Sequence, residues 1–133
     1  MSFLLDTSIC SAHLKQPSGL IHRFVQHAGR LHISTIVLGE LYTWAYRRSD
    51  PQKLLSVIET DLLPDLVVLD FDRRCARQFG QLQSDMLRHG TVVNPVDLMI
   101  AAVAVVHDLT LVTHNTKHFR PVASLRIVDW LEA

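Results

Sequence analysis

The sequence predicts an α/β fold built on a parallel sheet. Short runs of Val, Leu and Ile recur along the chain. They are apolar at consecutive positions, as in strands covered on both faces. Segments of helical length, several with cap signals, fall between them. Strands that alternate with helices are joined by right-handed crossovers, which makes the sheet parallel.

The first strand is Phe3-Leu4-Leu5. Helical segments follow at Ser8 to Leu14 and Ser18 to His27. Leu31-His32-Ile33 is a short second strand, and Thr35 to Arg48 is the helix after it. Asp50-Pro51 pairs an N-cap with Pro at the first helical position and opens a helix to about Leu63. Leu66-Val67-Val68-Leu69 is the clearest strand pattern. Asp72 opens a helix to about His89. Asn94-Pro95 repeats the cap pattern and opens a helix to about Val106. That helix is nearly apolar all round, so it belongs in the interior. Leu109 to Thr113 is the fourth strand and Arg126-Ile127-Val128 the fifth.

A chain of 133 residues fits one domain, taken as 1–133. A hydrophobic content of 48% with 20% charged residues excludes a disordered chain. The formal net charge is zero, which excludes a wide basic surface for gripping nucleic acid but leaves room for a local patch. Arg47, Arg48, Arg73, Arg74, Arg88, Lys117 and Arg120 are candidates for phosphate contact. Their plain reading is as solvated surface charges. No apolar run reaches the ~20 residues that span a bilayer, so no membrane partner is expected. The start, Met1 to Asp6, lacks the basic region of a signal peptide. Cys10 and Cys75 are too few for a disulfide framework and match no zinc motif, which suits the reducing cytoplasm.

In parallel α/β folds, sites form beyond the carboxyl ends of the strands. Three acids fall there or at helix starts. Asp6 follows the first strand directly, with Thr7 and Ser8 beside it. Its plain reading is an N-cap. Glu40 has Ile36, Val37, Thr43 and Trp44 as helical neighbours, which places it on or beside the buried stripe. Its plain reading is a pair with Arg47 or Arg48. Asp97 follows Asn94-Pro95-Val96 on the apolar helix. Its plain reading is a first-turn carboxylate favoured by the helix dipole. Together the three acids suggest a cluster that repels itself when empty. A divalent cation relieves that repulsion, and oxygen ligands favour Mg²⁺ or Mn²⁺ over zinc.

At these residues the sequence resembles the PIN-domain ribonucleases, and among them the VapC toxins of bacterial toxin–antitoxin pairs. Phe3-Leu4-Leu5-Asp6-Thr7-Ser8 looks like the first strand and first acid. Ser34 to Leu41 looks like the helix of the second acid, and Asn94 to Ala102 like that of the third. Leu111 to Phe119 looks like the strand and turn that close the site. The resemblance implies a three-layer α/β/α fold with a central parallel five-stranded sheet. It implies an Mg²⁺- or Mn²⁺-dependent endoribonuclease acting on RNA such as tRNA, a cognate antitoxin and a homodimer. It makes Asp6, Glu40 and Asp97 the catalytic metal ligands, while Thr7, Thr113, Asn115 and His118 line the site.

One position departs from the family. Many relatives carry a fourth acid just before the Phe of the last motif, and here His118 stands there. A neutral imidazole suits Mn²⁺ better than Mg²⁺. The plain reading of His118 is a solvent-facing turn residue. His114 lies four residues earlier, but no third ligand follows for zinc.

Rival readings compete. Pro64 to Asp70 resembles the strand that ends in the phosphorylated Asp of a receiver-like signalling domain, with Thr113 and Lys117 as partners. The acidic pair that a receiver needs after its first strand is missing, since Thr7 follows Asp6. An aspartyl phosphatase needs a second carboxylate where Ser8 stands. A catalytically inactive PIN-like interaction module is the third alternative. For the antitoxin, an Arg or Lys is expected to enter the acidic pocket, since a guanidinium fork pairs with two carboxylate oxygens. Leu38, Leu41, Tyr42 and Tyr46 are the expected apolar docking positions for the antitoxin or a second subunit.

Overall fold

Phe3, Leu4 and Leu5 are buried on both faces and form β1 (Phe3–Leu5), the middle strand of the sheet. It pairs with β2 (Leu31–Ser34) on one side and β4 (Thr110–Val112) on the other. The outer strands are β3 (Val67–Leu69) beside β2 and β5 (Ile127–Val128) beside β4. The order is β3-β2-β1-β4-β5 and every pair is parallel. This computed structural model describes residues 1–132.

The helices are α1 (Thr7–Lys15), α2 (Ile21–Gln26), α3 (Thr35–Tyr46), α4 (Pro51–Val57), α5 (Arg73–Arg88), α6 (Pro95–Val106) and α7 (Thr116–Phe119). They complete a three-layer α/β/α arrangement. Caps set several of their starts. Ser34 accepts from the Val37 N–H over 3.1 Å, and Asp72 from the Cys75 N–H over 3.0 Å. Asn94 accepts from the Val96 N–H over 2.8 Å, with Pro95 at the first helical position. Six residues of α6, Leu98 and Ile100 to Ala104, are fully buried, as its composition requires.

The sheet order positions the site. The chain runs outward from β1 through β2 to β3, then returns across β1 to begin β4. β1 and β4 therefore flank the topological switch point, where open α/β sheets leave a crevice beyond their carboxyl ends.

Some expectations need correction. Coverage on both faces holds for β1 and β4, but Val67 and Val68 of β3 are 49% and 40% exposed because β3 is an edge strand. The segment from 18 to 27 opens with a 3₁₀ turn at Pro17–Gly19 and is helical only from Ile21. After Val57 the helix of α4 widens to a π turn at Ile58–Leu62, followed by a 3₁₀ turn at Leu63–Asp65 that contains Pro64. Asp50 makes no side-chain cap bond. Both cysteines are buried and free. Among the described residues, no helix is long and apolar enough to cross a membrane.

Candidate active site

Asp6 stays in register with β4 after β1 ends, through its N–H to the Val112 carbonyl at 2.9 Å. Its side chain is 5% exposed and caps α1. Oδ1 accepts from the Thr7 N–H at 2.7 Å, and Oδ2 from the Thr113 hydroxyl at 2.7 Å. The Ser8 hydroxyl reaches Oδ2 at 3.4 Å. Both hydroxyls are themselves oriented: Thr113 Oγ1 accepts from the Asn115 N–H at 3.0 Å, and Ser8 Oγ from the His114 N–H at 3.1 Å. A hydroxyl has one proton to give. With its lone pairs receiving a backbone N–H, each aims that proton at Asp6. Capping and site formation are therefore the same geometry here.

Thr7 joins the second acid to the first. Its N–H serves Asp6, and its hydroxyl donates to Glu40 Oε1 at 2.5 Å. Glu40, expected on or beside the buried stripe, lies beside it, with its side chain exposed. The buried stripe of α3 is Val37, Leu41 and Ala45, spaced by four, and Glu40 lies at its edge. No ion pair joins Glu40 to Arg47 or Arg48.

Asp97 occupies the first turn of α6 with its side chain 22% exposed. Burial pushes its carboxyl above the ordinary aspartate range, and the nearby charge of Asp6 pushes the same way. His118 opposes both, with Nδ1 at 3.4 Å from Asp97 Oδ2. His118 is exposed on α7, but it is more than a turn residue, since it faces the third acid. His114 falls outside α7 and bonds Asp129 at 3.0 Å instead.

The structure thus brings Asp6 and Asp97 within each other's field and ties Glu40 to Asp6 through Thr7. Among the described residues, no three His, Cys, Asp or Glu side chains form a ready metal cage. The donors fit a hard cation that keeps several of its own waters, as Mg²⁺ does. The two carboxylates Asp6 and Asp97 suit such an ion, and the His118 imidazole alongside suits Mn²⁺ better than Mg²⁺. Asn115 contributes its backbone N–H to the network, and no side-chain bond of Asn115 is seen.

Two contributors escaped the sequence reading. Ser8 braces Asp6 from the same turn that begins α1. Asp129 follows β5, with its side chain 8% exposed, and holds His114. The rule that singled out Asp6, an acid directly after an apolar strand, also picks Asp129.

Other expectations move. Leu41 is fully buried, and Leu38 and Tyr42 pack against the core. Tyr42 also donates to Glu59 at 2.5 Å. Of the four expected docking positions only Tyr46 is well exposed, at 65%. Asp70 follows edge strand β3, three strands away from β4. At ~4.8 Å per strand that is roughly 14 Å, so Thr113 and Lys117 cannot complete a receiver site around it.

Comparison with known proteins agrees with this geometry. The PIN domain family model matches residues 3–125. The chain belongs to the PIN-domain family, and within it to the VapC endoribonuclease toxins. It is 37% identical to the tRNA(fMet)-specific endonuclease VapC of Shigella flexneri, covering 98% of each chain. Ribonuclease VapC2 of Haemophilus influenzae is 33% identical, with 98% of this chain and 99% of that protein covered. Among solved structures, DNA-bound VapBC from Salmonella typhimurium superposes with a TM-score of 0.92 at 37% identity, over 98% of both chains. The expected PIN-like fold and the VapC resemblance are both borne out.

Proposed function

We propose that this VapC-type chain is a divalent-metal-dependent endoribonuclease of the cytoplasm that cleaves tRNA, acts as a homodimer and is restrained by a cognate antitoxin. The observation that carries the metal dependence is the state of Asp97. Its carboxyl is partly buried, repelled by Asp6 and only partly relieved by His118. Asp6, Asp97 and Glu40 would hold a divalent cation, and its charge would relieve that repulsion.

Mg²⁺ or Mn²⁺, when bound, would supply an acidified water and positive charge for the scissile phosphate. The chain's own work is positional. Thr7, Ser8 and Thr113 fix Asp6. Thr7 also sets Glu40. The Asn94-Pro95 cap sets the start of the helix that carries Asp97. The tRNA assignment is supported by the Shigella flexneri relative, a tRNA(fMet)-specific endonuclease, and the antitoxin by VapBC structures of this fold.

The test is incubation of purified protein with a tRNA mixture, in EDTA and after adding Mg²⁺ or Mn²⁺. Cleavage that needs the metal and stops on adding the antitoxin encoded beside it supports the reading. Equal cleavage in EDTA overturns the metal dependence. Antitoxin affinity that falls as Mn²⁺ rises supports an Arg or Lys seated on the same acids.

A further inference from the structure

Trp44 stands one turn beyond Glu40 on α3 and is half-buried. Two cations lie over its ring. The Lys15 ammonium is 5.4 Å from the ring centre, and the Arg48 guanidinium carbon is 5.6 Å away. Arg47 adjoins them, and Lys15, Arg47 and Arg48 are all exposed. Among the described residues none of these three pairs with an acid, whereas Arg74, Arg88 and Arg126 each do. Glu40, the acid of the same helix, bonds to Thr7 instead. Two cations without an acid partner thus lie over one aromatic ring, and a third, Arg47, lines the same cavity as that ring, on a chain of zero net charge.

This cluster is continuous with the site. Thr7, Glu40, Trp44, Arg47 and Arg48 line one cavity of about 670 Å³. That volume falls within the ordinary range for a small-ligand pocket.

We infer that Trp44, with Lys15, Arg47 and Arg48, forms an RNA subsite beside the acids: an unpaired base stacks on Trp44 or the Arg48 guanidinium, and its phosphates lie on the cations. The inference rests on the endoribonuclease reading and adds to it where the substrate is held. The acids repel the strand they cut. Cations outside the acid cluster must therefore supply the attraction. Proteins that read unpaired RNA place aromatic rings and Arg planes against splayed bases. An acidic peptide would satisfy the same cations but would have no use for a stacking face that leads to Glu40. The surface therefore favours RNA over a protein partner.

The test uses the full chain and a fluorescein-labelled RNA hairpin with an unpaired loop. Binding is read by anisotropy in EDTA, and cleavage by gel in Mn²⁺. Trp44→Leu keeps apolar bulk but removes the ring, and it should raise Kd and KM by at least about fivefold. The loss in kcat should be smaller, and Trp44→Phe should recover most of the affinity. Arg47→Gln with Arg48→Gln should flatten the slope of log Kd against log salt by about 0.7 per lost phosphate contact. If Trp44→Leu unfolds, the arginine pair still decides through its Kd and salt slope. Parental Kd and KM in folded Trp44→Leu, or parental Kd and salt slope in the arginine pair, overturn the subsite. So does a loss confined to antitoxin affinity, which assigns the surface to the protein partner. Wild-type protein that binds the hairpin with these dependences, yet never cuts RNA with either metal, sinks the endoribonuclease reading and leaves the subsite standing.

Discussion

The Thr113 hydroxyl donates to the Asp6 carboxylate at 2.7 Å, joining the ends of two paired strands that lie 107 residues apart in sequence. This bond holds the first acid in one orientation at the switch point of the sheet. Thr113→Val removes the donor and leaves the Asn115 N–H without its acceptor. An orienting partner of a metal ligand is worth roughly 10- to 100-fold in activity or metal affinity. A loss of that size in RNA cleavage is expected, with stability lower by about 1–3 kcal/mol. Cleavage at the parental rate would remove Thr113 from the site.

Asp97 makes stability depend on pH in a definite direction. Burial and then the Asp6 charge raise its folded pKa above the ordinary 3.8 of the unfolded chain. The folded protein therefore holds that proton more tightly. Charged Asp97 destabilises the metal-free fold at neutral pH, and this penalty fades as pH falls through the raised value towards 3.8. Asp97→Asn should melt higher than the parent at neutral pH in EDTA. The difference in Tm should shrink on acidification. A difference that is constant across this range would contradict the burial of an uncompensated charge.

Metal choice follows from the donors. With carboxylates and an imidazole and no closed cage, Mg²⁺ should bind weakly and Mn²⁺ should support cleavage at lower concentration. His118→Ala should narrow the gap between the two metals, because His118 Nδ1 faces Asp97. Titrations of cleavage rate against each metal measure this. Activation by zinc alone would refute the oxygen-ligand reading.

Phe119 anchors the short helix that carries His118, and its side chain is fully buried. Phe119→Ala leaves a large cavity and should cost about 3–5 kcal/mol. Urea unfolding gives the figure. A cost under about 1 kcal/mol would mean that α7 is not held by this side chain.

Much of this architecture was readable in the chain. β1 is apolar at every position and β4 at Leu111 and Val112, as both strands are buried on both faces, and Asn94-Pro95 starts α6 where its cap chemistry demands. Edge exposure was not readable. Val67 and Val68 resemble core residues, and only the strand order shows that β3 lacks an outer neighbour. Whether Glu40 lies on the buried stripe or beside it was not readable for a related reason. Three of its four helical neighbours are apolar, but the buried line of α3 runs through Val37, Leu41 and Ala45. A count of apolar neighbours does not fix the rotation of a helix. The contacts from Asp97 to His118 and from Thr7 to Glu40 join distant segments, so local pattern could not reveal them.

The central claim is that Asp97, held beside Asp6, serves cleavage of RNA. The most direct measurement compares the rate of tRNA cleavage by the parent and by Asp97→Asn at saturating Mn²⁺, with Tm recorded on the same samples. The account predicts a variant that is folded, at least as stable as the parent and slower by at least about 100-fold. A folded Asp97→Asn variant that cleaves at the parental rate would contradict it.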